Sequence, residues 1–357
     1  MSRFFSEKFN NLTPYVPGEQ PKGGQNVIKL NTNESPFPPS SLAVKMAAAE
    51  GELLRLYPDP SCSSLVKEAS VILGVDESEL LFTNGSDDIL NFAFMAFCDK
   101  NTPAVFPDIT YGFYSVFAEL NNVKYREIPL RKDFTIDVDA YCPAGGTVFI
   151  ANPNAPTGIA LSLRDIEKII KSNPENVVVV DEAYVDFGGE SAVSLIKKYS
   201  NLLVTRTFSK SRSLAGGRLG IGLACPDLIN DLQTLRFSTN PYNINRMTMA
   251  AGIGALKDVE YFNKCLKEII SVRQESAECF KARDFIVLPS SANFLFVKYA
   301  GDKKISGREL YQKLKNRNIL IRHFDRERLM DYNRVTIGTR QQMKALFEEI
   351  DNILKER

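Results

Sequence analysis

Two rhythms of hydrophobic and polar positions alternate through the middle of the chain. Short apolar runs at 104–106, 147–151, 177–180, 202–206 and 219–224 are bounded by turn residues and read as strands. Between them lie stretches with helical spacing, such as SLRDIEKIIKSN at 162–173. There Ser162 is placed to cap, Asp165 supports the first turn, and Leu163, Ile166, Ile169 and Ile170 make one face before Asn173-Pro174 stops the helix. Strand–helix alternation predicts an α/β architecture, with a mostly parallel sheet between layers of helices. A run such as VVVV at 177–180 suits a strand buried on both faces.

The pattern changes after about residue 240. A long charged helical region at roughly 244–282 leads to the short strands FIVLP, NFLFVKY and RVTIG, and a last helix opens at Thr339. This predicts a smaller α+β domain. The expected division is therefore a Pro- and Gly-rich N-terminal segment, 1–45, packing on the small domain, a large domain, 46–243, and a small one, 244–357. No internal repeat or low-complexity linker interrupts it.

Composition narrows the function classes. The chain has 357 residues, 44% apolar and 24% charged, with a net charge of +1, so bulk electrostatics suggest neither nucleic acid nor an anionic membrane as partner. No apolar run is long enough for a membrane span, and MSRFFSEKFNN lacks a signal-peptide core. Six scattered cysteines without a C-x-x-C pair read as reduced thiols, and the expected compartment is the cytoplasm. The single histidine, His323, in RHFDRER reads as a surface or loop residue. It leaves no multi-histidine metal site, so no metal is expected, and it makes a Ser-His-Asp hydrolase improbable. Neither a P-loop nor a G-x-G-x-x-G fingerprint occurs.

Candidate chemistry gathers where the strands end, which is where ligands bind in open α/β sheets. Gly85-Ser86-Asp87 closes an apolar run and opens an amphipathic helix, so free N–H groups and the helix dipole together offer a phosphate seat. Taken alone it is an ordinary Ser/Asp cap. Asp181 follows four valines, where a carboxylate needs a partner such as a protonated ring nitrogen. Strand-end aspartates are common, and Tyr184 adds only a little to the signal. PDITYGFY at 107–114 offers Tyr111 as an aromatic platform, with a core tyrosine as the plain alternative. ANPNAPTG at 151–158 is a turn in any reading. In TFSKSRSLAGGRLG, Lys210 stands just beyond a buried strand with Arg218 eight residues on, a placement suited to Schiff-base chemistry and anion neutralisation, although most lysines are simply exposed. Together these groups ask for a ligand with a phosphate, an aromatic ring with a basic nitrogen, and a carbonyl. Pyridoxal 5′-phosphate has all three.

The order NTNESPFPPS, RLYPDPS, NGSDD, NPNAPTG, DEAYVDF, TFSKSRSLAGGRLG and RVTIGTRQQM resembles the fold-type I aminotransferases over essentially the whole chain. More narrowly, with LTPYVPG near the start, it resembles the histidinol-phosphate aminotransferase family. The resemblance implies a large domain built on a seven-stranded sheet, and a homodimer. It makes Lys210 the Schiff-base lysine, Asp181 the partner of the pyridine nitrogen, Tyr184 the hydrogen-bonding partner of the ring O3′ and Tyr111 the group stacked on the ring. Ser86, Asp87, Ser209 and Arg218 would hold the cofactor phosphate or lie beside it, joined by Tyr57 from the other subunit. Arg334 would receive the substrate's anionic group, helped by Arg322 and Tyr15. The implied substrates are histidinol phosphate and glutamate or 2-oxoglutarate. The family usually reads N-P-N-N-P-T-G; here Ala155 replaces the Asn before the Pro, leaving Asn154 or another donor, or Tyr184 alone, to serve O3′. Other expectations stay open: a threonine-phosphate decarboxylase, an aromatic amino acid aminotransferase, or a non-catalytic cofactor-binding module.

Overall fold

The computed structural model describes residues 2–9, 12–21 and 27–356. In chain order the strands are β1 (Ile28–Lys29), β2 (Leu80–Thr83), β3 (Ala104–Pro107), β4 (Tyr125–Ile128), β5 (Thr147–Ala151), β6 (Val178–Asp181), β7 (Leu202–Thr207), β8 (Gly220–Ala224), β9 (Phe285–Val287), β10 (Phe294–Tyr299), β11 (Ile319–Leu320), β12 (Arg322–His323) and β13 (Tyr332–Thr336). Seven of them form one sheet in the order β2-β8-β7-β6-β5-β3-β4. Strands β7, β6, β5, β3 and β4 run parallel, and β8 is antiparallel to both its neighbours. The valine run behaves as its composition predicts. Val178 and Val180 enter the core on one face of the sheet and Val179 the core on the other, all fully buried.

Two strands escape the sequence pattern. At the sheet edge, β4 exposes Tyr125, Arg126 and Glu127, so it carries no apolar run. Strand β2 is only four residues long and reads as the apolar lead into the next turn. The helix Leu163–Lys171 forms as expected, with the Ser162 hydroxyl accepting from the Asp165 N–H at 3.2 Å and Ile166, Ile169 and Ile170 buried.

The four antiparallel strands β12-β13-β10-β9 make a second sheet with its own core, and β1 pairs in parallel with β11. The N-terminal segment is stitched to this body on both sides. The Leu30 N–H donates to the Leu320 carbonyl at 2.7 Å, and the Leu30 carbonyl accepts from Thr336 N–H at 3.0 Å. The long charged helical region is in fact two helices, Arg246–Lys257 and Val259–Lys281, with Asp258 closing one and capping the next. The first packs against Ser41–Ala49 so closely that a Cβ on Gly254 would lie 2.6 Å from the Ala43 Cα. Its Ala251, Ala255 and Leu256 join the core of the large sheet, whereas Ile269, Val272 and Phe280 join that of the small one. Along these two helices the core side chains before Asp258 thus belong to the large sheet and those from Ile269 on to the small one. The small Ala and Gly residues that allow this close crossing carry no signal of which body they serve. His323 also departs from expectation: it lies in β12 with its side chain only 6% exposed, Nδ1 3.2 Å from Asn333 Oδ1.

Candidate active site

Strand register places the chemistry. Ala151, Asp181 and Thr205 lie in one row across β5, β6 and β7, so the loops beyond them share the carboxyl edge of the parallel sheet. A cavity of about 280 Å³ opens there, lined by Ser86, Asp87, Tyr111, Asp181, Tyr184, Ser209, Lys210 and Arg218. Residues scattered over more than 130 positions of sequence thus meet around one space.

Its floor is a buried carboxylate. Asp181 is 4% exposed; Oδ2 accepts from the Tyr114 hydroxyl at 3.2 Å, and Oδ1 from Thr205 Oγ1 at 3.3 Å and the Ala183 N–H at 3.2 Å. Burial pushes its pKa up to about 6, because these three donors only partly replace water. A cationic ring nitrogen is the partner that would reverse that shift.

The opposite end is built for an anion. The helix Ser86–Phe97 presents its N-terminus, and Arg218, Ser209 and Thr207 crowd beside it. Arg218 Nη2 donates to Asp87 Oδ2 at 3.0 Å, and the Tyr111 hydroxyl donates to Asp87 Oδ1 at 2.8 Å. The Asp87 carboxylate therefore aims the guanidinium and the aromatic ring, and its own charge bars it from touching a phosphate directly. Burial and the Asp87 charge hold the Tyr111 phenol well above its ordinary range, so it stays a donor. Gly220 permits the approach: a Cβ there would lie 2.3 Å from the Ser86 nitrogen.

Lys210 stands between the two ends. Its Nζ donates to the Thr32 carbonyl at 3.1 Å and lies 5.8 Å from the centre of the Tyr184 ring. On its far side a second cavity, of about 380 Å³, shares Thr32, Tyr111, Ala155, Tyr184 and Lys210 with the first. Tyr15, Arg322, Arg326 and Arg334 line it, and no carboxylate does among the described residues. Arg334 is held over the Phe294 and Phe324 rings at 5.3 and 5.7 Å, and its Nη2 donates to the Asn31 carbonyl at 2.9 Å. Its Nε is buried without a partner, and burial draws its pKa down. An unpaired guanidinium N–H of this kind is costly unless an anion comes to it. Arg322 reaches the Val16 carbonyl at 3.4 Å, and the Tyr15 ring stacks on Phe113 at 4.2 Å.

Two residues are not brought to either cavity. The Asn154 amide faces inward: Nδ2 donates to the Ile109 carbonyl at 2.9 Å and to Thr157 Oγ1 at 3.2 Å, and Oδ1 accepts from Thr110 at 2.8 Å. Its capacity is spent holding the loop of Tyr111, so it does not stand in for the amide missing at Ala155. Tyr57 lies on the surface, 78% exposed and stacked on Tyr242 at 4.6 Å. Conversely, sequence reasoning missed Asn33, Glu34, Tyr114, Thr205, Thr207 and Arg326 as parts of the site. Tyr114 and Thr205 were visible only as core-like positions. Glu34, paired with Lys29, and Asn33 sit in the N-terminal segment, whose packing on the small domain was expected but whose reach into the two cavities no local pattern announces.

A phosphate, a basic ring nitrogen and a carbonyl would each meet a complementary group here, which is the chemistry of pyridoxal 5′-phosphate. Comparison with known proteins agrees. Histidinol-phosphate aminotransferase of Brachyspira hyodysenteriae is 47% identical over 99% of this chain and 100% of its own length. That of Clostridium acetobutylicum is 44% identical over 98% and 99%. The fold matches the crystal structure of histidinol-phosphate aminotransferase from Sinorhizobium meliloti in complex with pyridoxal-5′-phosphate, with a TM-score of 0.85 and 22% identity, covering 93% of this chain and 92% of that one. The family described as aminotransferase class I and II matches residues 25–350, and it is to this family that the chain belongs.

Proposed function

We propose that the protein is a pyridoxal 5′-phosphate-dependent histidinol-phosphate aminotransferase, exchanging an amino group between L-glutamate and imidazole acetol phosphate to give 2-oxoglutarate and L-histidinol phosphate. The observation that carries this reading is the pair of cavities with Lys210 on their common wall, one with an anion seat and a buried carboxylate, the other lined by three guanidinium groups and, among the described residues, by no carboxylate. The full-length likeness to relatives of that name supports the choice of substrate.

When bound, the cofactor supplies a carbonyl for an amine and a ring that draws electrons from the carbon bearing it. The protein's residues do the rest. Asp181 would keep a proton on the ring nitrogen, and the helix at Ser86, with Ser209 and Arg218, would hold the phosphate. Asp87 positions Arg218 and Tyr111; Tyr111 would cover one face of the ring, and Tyr184 would serve its phenolic oxygen. Lys210 would hold the cofactor's carbonyl carbon and, once freed by an incoming amine, would be the base placed to move a proton at the substrate Cα. Arg334 receives the carboxylate of glutamate or the phosphate of histidinol phosphate, a double task suited to a planar fork, with Arg322 and Tyr15 assisting.

The chain works as a homodimer in this reading. Leu54, Leu56 and Tyr57 are exposed, and Tyr57 stacks on Tyr242, itself 42% exposed; a second copy covering them would carry Tyr57 to its phosphate seat. We read the chain as an N-terminal segment, a large domain extending to Asp258 and a small domain beyond it, working in the cytoplasm. Titrating the purified protein with glutamate and then histidinol phosphate tests the proposal. Both should bleach the absorbance band of the lysine-bound cofactor. Carbon dioxide release from threonine phosphate, or bleaching by phenylalanine in place of histidinol phosphate, would refute it.

A further inference from the structure

We propose that Asn33 is a positioning residue that fixes the direction in which the Tyr184 hydroxyl donates its proton. The inference rests on reading the cavity as a pyridoxal 5′-phosphate site. Tyr184 lines both cavities, and its ring packs on the apolar patch of Ala155, Ala292 and Phe294. Its hydroxyl accepts a hydrogen bond from Asn33 Nδ2 at 2.9 Å. A phenol has one proton. With its oxygen accepting from Asn33, that proton is left to point into the cavity.

This holds only if the amide presents nitrogen to the tyrosine, and Thr336 decides that orientation. Thr336 Oγ1 accepts from the Asn33 N–H at 3.0 Å and donates to Asn33 Oδ1 at 2.9 Å. With the amide reversed, Oγ1 would face two donors from Asn33 and its own proton would lose its acceptor in a site only 3% exposed. The Asn33 backbone is pinned as well. Its carbonyl accepts from Asn293 Nδ2 at 3.0 Å, and its φ of 58° is one that asparagine tolerates better than most residues. Thr336, Asn33 and Tyr184 thus form a relay of fixed polarity ending at the cavity wall. Thr336 lies on β13 two residues beyond Arg334, so the strand carrying the substrate arginine also orients the tyrosine.

A donor aimed at the ring oxygen competes there with the proton on the lysine nitrogen, so it lowers the pH at which that nitrogen loses its proton. The test is a pH titration of the absorbance of the lysine-bound cofactor, with no turnover involved. Asn33→Gly keeps the backbone conformation and removes the amide. It should raise the midpoint by about half to one pH unit, the scale of one hydrogen bond. Asn33→Asp should raise it further, because a carboxylate turns the tyrosine proton onto itself, and should approach the midpoint of Tyr184→Phe. In a Tyr184→Phe background, Asn33→Gly should add nothing. If Asn33→Gly does not fold, Thr336→Val carries the test, since it frees the amide to reverse and should shift the midpoint the same way by a smaller amount. Unchanged midpoints, equal shifts for Gly and Asp, or a shift that persists without the Tyr184 hydroxyl would overturn the inference. A wild-type protein that forms no such band would instead remove the cofactor reading itself, and the relay's role with it.

Discussion

Asp181 sets up a test in which stability and function move in opposite directions. Without a cation beside it, this carboxylate is held at the buried floor of the cavity with its pKa raised to about 6, against 3.8 for the free side chain. A raised carboxyl pKa means that the folded state binds the proton more tightly than the unfolded chain does. The protein lacking cofactor therefore loses stability as pH rises from near 4 to just above 6, and the loss is complete above that window. The shift corresponds to about 3 kcal/mol at pH 7.5 and roughly half of that at pH 5. Asp181→Asn removes the charge and keeps the contacts. Its Oδ1 still accepts from Thr205 and the Ala183 N–H, and its new amide donates to the Tyr114 oxygen, whose buried proton then loses its acceptor and offsets part of the gain equally at every pH.

The cofactor-free variant should accordingly be more stable than the wild type at pH 7.5. For a chain of 357 residues the unfolding entropy is about 0.75 kcal/mol per kelvin, so 3 kcal/mol becomes a rise in Tm of at most about 4 °C. At pH 5 the advantage should be smaller by about 2 °C. Adding pyridoxal 5′-phosphate should reverse the ranking, because only the wild type pairs a carboxylate with the ring nitrogen, and transamination by the variant should fall by at least two orders of magnitude. Thermal melts of both proteins at the two pH values, with and without cofactor, check the argument. A variant that is less stable than wild type at pH 7.5, or whose advantage is the same at both pH values, would refute it.

Other groups allow shorter tests. Lys210→Ala should bind the cofactor without the absorbance band of the lysine-bound form and lose turnover; wild-type-like transamination would remove Lys210 from its role. Arg334→Ala should raise KM for glutamate and histidinol phosphate alike, by roughly 10- to 100-fold for loss of a charged hydrogen bond, whereas Tyr15→Phe should affect mainly the phosphorylated substrate. Equal losses for both substrates in the Tyr15 variant would count against that division. Gly220→Ala drives a Cβ to within 2.3 Å of the Ser86 nitrogen, so it should displace the helix N-terminus and weaken cofactor affinity at least tenfold, as measured by fluorescence titration. Unchanged affinity would mean that the phosphate sits elsewhere.

Much of the large sheet was legible because burial on both faces writes itself into composition. Val178, Val179 and Val180 point alternately to two cores and are all apolar, and the helix over Leu163–Lys171 has a cap, a face and a stop. What failed to show were elements whose environment is set by a distant partner. Strand β4 is polar because it lies at an edge, and β1 is two residues held by β11 almost three hundred positions away. The break at Asp258 was hidden for a related reason. Helical periodicity continues across it, and only packing assigns the Ala- and Gly-rich half to the large sheet.

The site divides along the same line. Lys210, Asp181 and Ser86 stood out as candidates because each ends a strand, lies just beyond one or opens a helix, so local pattern places a polar group at a known edge. Asn33 did not, since its value lies in a hydroxyl 151 positions away and in a threonine 303 positions away. The choice among Asn154, another donor and Tyr184 stayed open in the sequence for the complementary reason: the turn does line the cavity, but which of its side chains turns inward is decided by Ile109 and Thr110, not by the turn. With Ala155 at the wall and Asn154 engaged behind it, a phenolic oxygen in the cavity would find its protein donor in Tyr184. The proton that Tyr184 offers is therefore governed from the N-terminal segment and β13, the same two elements that frame the substrate pocket.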